Sequence, residues 1–147
     1  MAIQSPTTEN KQLARRFFEE VLSEKNFDLI DDLFAETYTH HDAESGRELH
    51  GRREFRKLLT EFTTAFPDVN MTIHDQLADD DHVVTRLTMT GTQTGPFGDM
   101  DATGKSVSID GIVEHRVKNG KIVEGFPQWD MLGMMRQVGV VPDELAD

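Results

Sequence analysis

The stretch SVSIDGIVEHRVKNGKIVEGFPQWD, residues 106–130, decides the fold. Asn119-Gly120 stands between two runs of strand formers. A two-residue type I′ turn needs positive φ at both central positions, which Asn and Gly supply. The turn pairs Lys118 with Lys121. Continuing outward pairs Val117 with Ile122, His115 with Glu124, Val113 with Phe126, Gly111 with Gln128 and Ile109 with Asp130. Facing residues of an antiparallel pair point to one side, and alternation carries that side along each strand. One face then holds Ile109, Val113, His115, Val117, Ile122, Phe126, Gln128 and Asp130. The other holds Asp110, Ile112, Glu114, Arg116, Val123, Pro127 and Trp129. The first is the more apolar and is assigned to the interior. A single β-bulge would flip everything beyond it.

Upstream of the hairpin the chain reads as helices first and strands after. Ser5-Pro6 is an N-cap and first helical residue. Leu13, Ala14, Phe17, Phe18, Val21 and Leu22 then form one apolar face over about four turns. Asn26 caps a short second helix with Phe27, Ile30, Leu33 and Phe34. Tyr38 to Asp42 is a short strand, and 43–47 a loop. A third helix carries Phe55, Leu58, Leu59, Phe62, Ala65 and Phe66 and stops at Pro67. Alternation at Val69, Met71 and Ile73, a turn at Asp79–Asp81, a strand from His82 to Gln93 and a Gly-rich loop to Gly104 follow. Leu132 to Val138 is a helical turn ended by Gly139. The fold class is α+β: about three N-terminal helices packed on a curved antiparallel sheet, with a conical cavity between the layers. Residues 1–147 make one domain, with 1–6 and 141–147 as flexible ends.

Composition narrows the function. The chain has 147 residues, one domain's worth, and no cysteine, so disulfide scaffolds, thiolate metal sites and Cys nucleophiles are excluded. Fifteen Lys and Arg against 27 Asp and Glu give a net charge of −12. That balance repels nucleic acid and anionic membranes. No apolar run is long enough to span a bilayer, the N-terminus lacks a signal-peptide pattern, and a cytoplasmic protein is expected. The acidity reads as a solvated surface; its sharper reading is adaptation to high salt.

On the interior face, Asp130 and His115 share apolar surroundings with Val113 and Phe126. A carboxylate desolvated in this way suits general acid/base work. Asp130 also stands just before Met131-Leu132, a natural N-cap position, so cap and pocket both remain open. Tyr38 can donate to an oxyanion or simply pack. His40-His41-Asp42 suggests metal ligands, but strand neighbours point to opposite faces, so no metal site is assigned. One of the two histidines lines the pocket, and His41 is taken as that one. Phe62 and Gln128 complete the wall, and Leu132 belongs to a Met-rich lip. Trp129 faces outward with Ile112, Val123 and Pro127, an apolar patch suited to dimerisation through the sheet.

Gly91-Thr-Gln-Thr-Gly95-Pro-Phe97-Gly98, Ala102-Thr-Gly104-Lys105, Val117-Lys-Asn-Gly120-Lys-Ile-Val-Glu124 and Trp129-Asp130-Met-Leu132-Gly133 together resemble the SnoaL-like polyketide cyclases, or ester cyclases. The likeness covers nearly the whole chain. It implies an NTF2-like cone and an intramolecular aldol ring closure that uses no metal or cofactor. It also implies an aspartate of the last strand as general acid/base, matched by Asp130, and a pocket histidine on the preceding strand, matched by His115. Gln93 departs from the pattern, which often has histidine there. The expected ligand is a hydrophobic small molecule bearing carbonyls. A non-catalytic binding module and a ketosteroid-isomerase-like enzyme are the alternatives, because one fold hosts all three.

Overall fold

A computed structural model describes residues 6–43 and 45–140. The expected flexible ends lie outside those residues, apart from Pro6. Helix α1 (Pro6–Arg16) runs on into a π-helical segment (Phe17–Ser23). A 3₁₀ turn (Phe27–Leu29) leads into α2 (Ile30–Leu33), and then come β1 (Phe34–Asp42), β2 (Arg47–His50) and α3 (Arg52–Ala65). Strands β3 (Asn70–Asp79), β4 (His82–Thr92), β5 (Ser106–Lys118) and β6 (Lys121–Trp129) follow, and α4 (Met131–Gln137) closes the described chain.

The α+β reading holds, with three amendments to the first half. The first helix ends in a widened turn, in which Glu24 N–H reaches Glu19 O, five residues back. Phe17, Phe18, Val21 and Leu22 are all buried there. Asn26 makes no side-chain cap. Strand β2 went unread because Arg-Glu-Leu-His is an exposed edge with no buried alternation.

The six strands run β2-β1-β6-β5-β4-β3. The sheet is mixed rather than purely antiparallel, because β1 lies parallel to β6. Within the core, Phe34, Tyr38 and Phe55 pack ring against ring at 4.7–4.9 Å. The Gly-rich loop is tied by Gln93, whose Nε2 donates to Asp101 O at 3.1 Å and whose Oε1 accepts from Thr103 Oγ1 at 2.8 Å. Gln93 is fully buried and serves this loop.

The hairpin turn is as expected, with φ of 53° at Asn119 and 74° at Gly120. The register beyond it is not. Val117 faces Ile122, but Arg116 faces Glu124, so Val123 is an extra residue on β6. His115 then pairs with Gly125, Val113 with Pro127 and Gly111 with Trp129. The bulge turns Glu124, Phe126 and Gln128 outward and Gly125, Pro127 and Trp129 inward. Electrostatics explains why this register wins. Outside, Glu124 accepts from Arg116 Nε at 2.7 Å and bonds His41 Nε2 at 2.9 Å. Inside, it would be a carboxylate among aromatic rings, which costs several kcal/mol unless paired (about 3–5 when a buried pair is broken).

Candidate functional site

Strand β1 sends alternate side chains to the concave side of the sheet. Tyr38, His40 and Asp42 line a cavity of about 230 Å³ there. Its walls come from the widened turn, through Phe17 and Phe18, and from α3, through Phe55 and Phe62. His41, on the opposite side of β1, stacks on Phe126 with ring centres 4.3 Å apart.

Strands β1, β6 and β5 are neighbours, and their registers put His40 opposite Gly125 and Gly125 opposite His115. The row His40–Gly125–His115 crosses three strands with no side chain in its middle. Tyr38 occupies that space. A Cβ at Gly125 would collide with Tyr38 Oη and stand 3.4 Å from His115 Cδ2. Tyr38 Oη in turn lies 3.0 Å from His40 Nδ1. Gly111 does the same for Trp129, whose indole ring lies where a Cβ at Gly111 would stand.

All three polar groups are held uncharged. Burial pushes the His115 imidazole down to about 3, helped by nearby His40. Burial pushes His40 down to about 4; Asp42 opposes that shift and His41 adds to it. Burial, then the Glu124 charge, raises the Tyr38 phenol far above its ordinary value, so it keeps its proton. His115 Nδ1 is buried and has no hydrogen-bond partner among the described residues. An unpaired buried polar atom costs about 1–3 kcal/mol, a cost that ligand sites accept. Asp42, at the end of the β1 row, accepts from Ser45 Oγ at 2.5 Å.

The structure brings together His115, Tyr38, Phe62 and Val113 of the sequence-based set. It does not bring in the rest. His41 and Phe126 form the outer stack, and Gln128 is exposed on that same side. Leu132 is 49% exposed and does not line the cavity. Asp130 is exposed beyond the end of β6, where its Oδ1 accepts from Gly133 N at 2.8 Å and caps α4. The bulge is the cause: with the register moved by one, the inward positions of the last strand are Gly125, Pro127 and Trp129. Asp130→Ala is therefore expected to cost about 1 kcal/mol through loss of the cap. It should leave ligand affinity in the cavity unchanged, as thermal unfolding and a binding titration on the same sample would show.

His40, Asp42 and Trp129 are among the lining residues that sequence reasoning missed. A signal for them existed. Past Val123, taking Gly125, Pro127 and Trp129 inward leaves Glu124, Gln128 and Asp130 in water, the better partition of polar side chains. Tyr38, now placed inward, also fixes His40 and Asp42 by alternation.

A family model described as SnoaL-like polyketide cyclase matches residues 12–138. Among curated proteins none matches this sequence. Similar solved structures include TsrD from Streptomyces laurentii, 22% identical, with TM-score 0.83 over 94% of this chain and 100% of that one. A candidate polyketide cyclase from Acidithiobacillus ferrooxidans is 28% identical, with TM-score 0.79 over 94% and 97% of the two chains. AclR, a candidate hydroxylase from Streptomyces galilaeus, is 26% identical, with TM-score 0.81 over 93% and 85%. The first likeness shows the fold alone. The other two are named for different candidate activities on one architecture, so the chemistry of this chain rests on its own cavity.

Proposed function

The chain belongs to the SnoaL-like polyketide cyclase family, and from that premise we propose that its cone catalyses cofactor-independent acid/base chemistry, of cyclase or isomerase type, on a small hydrophobic carbonyl compound. The observation that supports this is the set of uncharged polar groups, Tyr38, His40 and His115, placed beside one carboxylate, Asp42, in an otherwise apolar cavity. Small-molecule sites commonly measure roughly 300–1,000 Å³, so a cavity of about 230 Å³ suits one or two rings.

In the cyclase form, the substrate carries a methylene between two carbonyls. Asp42 takes its proton, the enolate carbon attacks a second carbonyl, and a carbon–carbon bond forms. The resulting alkoxide regains the proton. His115 and His40 hold oxygen atoms of the substrate through hydrogen bonds. A carboxylate needs no exotic basicity for this: an aspartate titrating near 4.6 is the general base of ketosteroid isomerase. Enclosure adds rate by holding the two ends of one chain in contact.

A phenyl-capped linear triketone tests the reading. Its β-diketone is joined to a methyl ketone through a chain of methylene groups long enough for the carbon between the two carbonyls to close a six-membered ring on the far ketone, and loss of water then gives a conjugated benzoylcyclohexenone, followed by its absorbance. Turnover above the buffer rate is the expected result. Saturable binding with no turnover would overturn it in favour of the second reading, a binding module. That reading draws support from Asp42 already accepting a hydrogen bond from Ser45. Pairing with a second copy through the outer sheet face belongs to the same proposal. The apolar groups of that face include Leu77, 68% exposed, Ile112, 50% exposed, and Phe126, with Trp129 turned inward. Sedimentation that finds only monomer at micromolar concentration would remove the dimer.

A further inference from the structure

We propose that His40 is a hydrogen-bond donor of fixed tautomer in the site: its Nε2–H holds the carbonyl oxygen of the ligand, and Tyr38, seated over Gly125, is the positioning residue that fixes this tautomer. The assignment rests on the reading of the cone as a ligand site and goes beyond it by giving one atom a role and a cause.

The argument is one of hydrogen-bond accounting. A neutral imidazole has one N–H and one lone pair, and which nitrogen bears the hydrogen is set by its partners. His40 Nδ1 is 3.0 Å from Tyr38 Oη. Two arrangements fit that distance. In one, Nδ1–H donates to the phenol oxygen. In the other, the phenol donates to the Nδ1 lone pair. Tyr38 decides between them. Its side chain is fully buried and its hydroxyl has no other hydrogen-bond partner among the described residues. In the first arrangement the phenolic proton would have no acceptor, a cost of about 1–3 kcal/mol. In the second the phenolic proton is satisfied, and nothing of Tyr38 is lost but an acceptor lone pair. The second arrangement holds, and His40 carries its hydrogen on Nε2.

Gly125 makes the geometry possible. Tyr38 Oη takes the volume that any other residue at 125 would fill with Cβ. The rings of Phe34 and Phe55, 4.8 and 4.7 Å from that of Tyr38, hold the phenol in place. His40 thus has one nitrogen committed to Tyr38 and lines the cavity with the remainder of its ring. The nitrogen left for a ligand is Nε2, and it is a donor. An N–H donor fixed in a water-poor apolar site stabilises negative charge that develops on a carbonyl oxygen. The proton at issue in the reaction therefore goes to Asp42, and His40 keeps its own.

The test uses nitrogen-15 NMR of the imidazole rings at pH 7, which distinguishes the two tautomers, in the wild type and in Tyr38→Phe. Tyr38→Phe removes one oxygen and keeps the ring. The expected result is the Nε2–H tautomer in the wild type and a mixture of both in Tyr38→Phe. Nδ1–H in the wild type overturns the proposal, and so does an unchanged tautomer in Tyr38→Phe. Adding α-tetralone, a bicyclic ketone, is expected to move the His40 Nε2 resonance and to lower the ketone's carbonyl stretching frequency, and His40→Phe should abolish the frequency shift. Binding of α-tetralone with neither change overturns the donor role while the cone stands as a ligand site. If neither α-tetralone nor the triketone binds, the reading of the cone as that site fails, whatever the tautomer.

Discussion

Between pH 7 and pH 4.5 the protein is expected to lose on the order of 5 kcal/mol of folding stability. Two imidazoles account for it. His115 and His40 titrate at about 3 and about 4 in the folded chain, against an ordinary 6.5. Their folded values are lowered, so the unfolded chain binds more protons wherever pH lies below 6.5. The stability they hold is complete above 6.5 and is lost as pH falls towards 4 and then 3. At pH 4.5 each group has shed roughly 2–3 kcal/mol, at 1.36 kcal/mol per unit. Domains commonly hold only about 5–15 kcal/mol, so this decides whether the chain stays folded in mild acid. Urea unfolding at the two pH values measures it. His115→Leu is expected to remove about half of the loss, because it leaves no imidazole to protonate. It also replaces an unpartnered polar atom by apolar volume, so stability at pH 7 should hold or rise. Equal stability at the two pH values would contradict the burial of both rings.

Gly125→Ala is expected to destabilise the fold by about 1–3 kcal/mol, the usual cost of forcing a methyl group into a full core. The added carbon meets Tyr38 Oη, and Tyr38 cannot move away because Phe34 and Phe55 pack against its ring. Displacing the hydroxyl also breaks its contact with His40. The double variant Gly125→Ala with Tyr38→Phe removes the atom that the methyl group hits. Its stability should exceed the sum of the two single effects by about 1 kcal/mol or more, the coupling expected of touching residues. Simple additivity would mean that the phenol does not lie over Gly125.

The core of the fold was legible because local signals agreed. Asn119-Gly120 allows one turn geometry, Pro67 stops a helix, and the apolar spacing from Phe55 to Phe66 has the helical period. The inward face of β5 also came out as read, with Ile109, Val113, His115 and Val117 buried. The candidate site was half legible for one reason. Register beyond a turn depends on there being no inserted residue, and Val123 is one. Its one local mark is the better partition of Glu124, Gln128 and Asp130 to water; the preference itself arises from Glu124 finding Arg116 and His41, and His41 lies 83 positions away in the chain. The same slip exchanged Trp129 with Phe126 and put Asp130 in the wall. Parallel pairing of β1 with β6 was hidden for a similar reason, since it depends on how distant segments meet. The likeness to the SnoaL-like cyclases identified the family, but Asp130, the residue matched to its acid/base group, caps a helix in this chain.

Steady-state turnover of the phenyl-capped triketone by Asp42→Asn and Asp130→Asn, side by side with the wild type, tests the central claim most directly. The claim is that the chemistry lies with the β1 row in the cone and not with the carboxylate at the end of β6. The expected result is loss of at least about 100-fold in kcat for Asp42→Asn, the low end of general-base contributions. Asp130→Asn should stay within about twofold of the wild type, with no more than a cap's worth of stability lost. Full activity in Asp42→Asn together with inactive but folded Asp130→Asn would contradict the account.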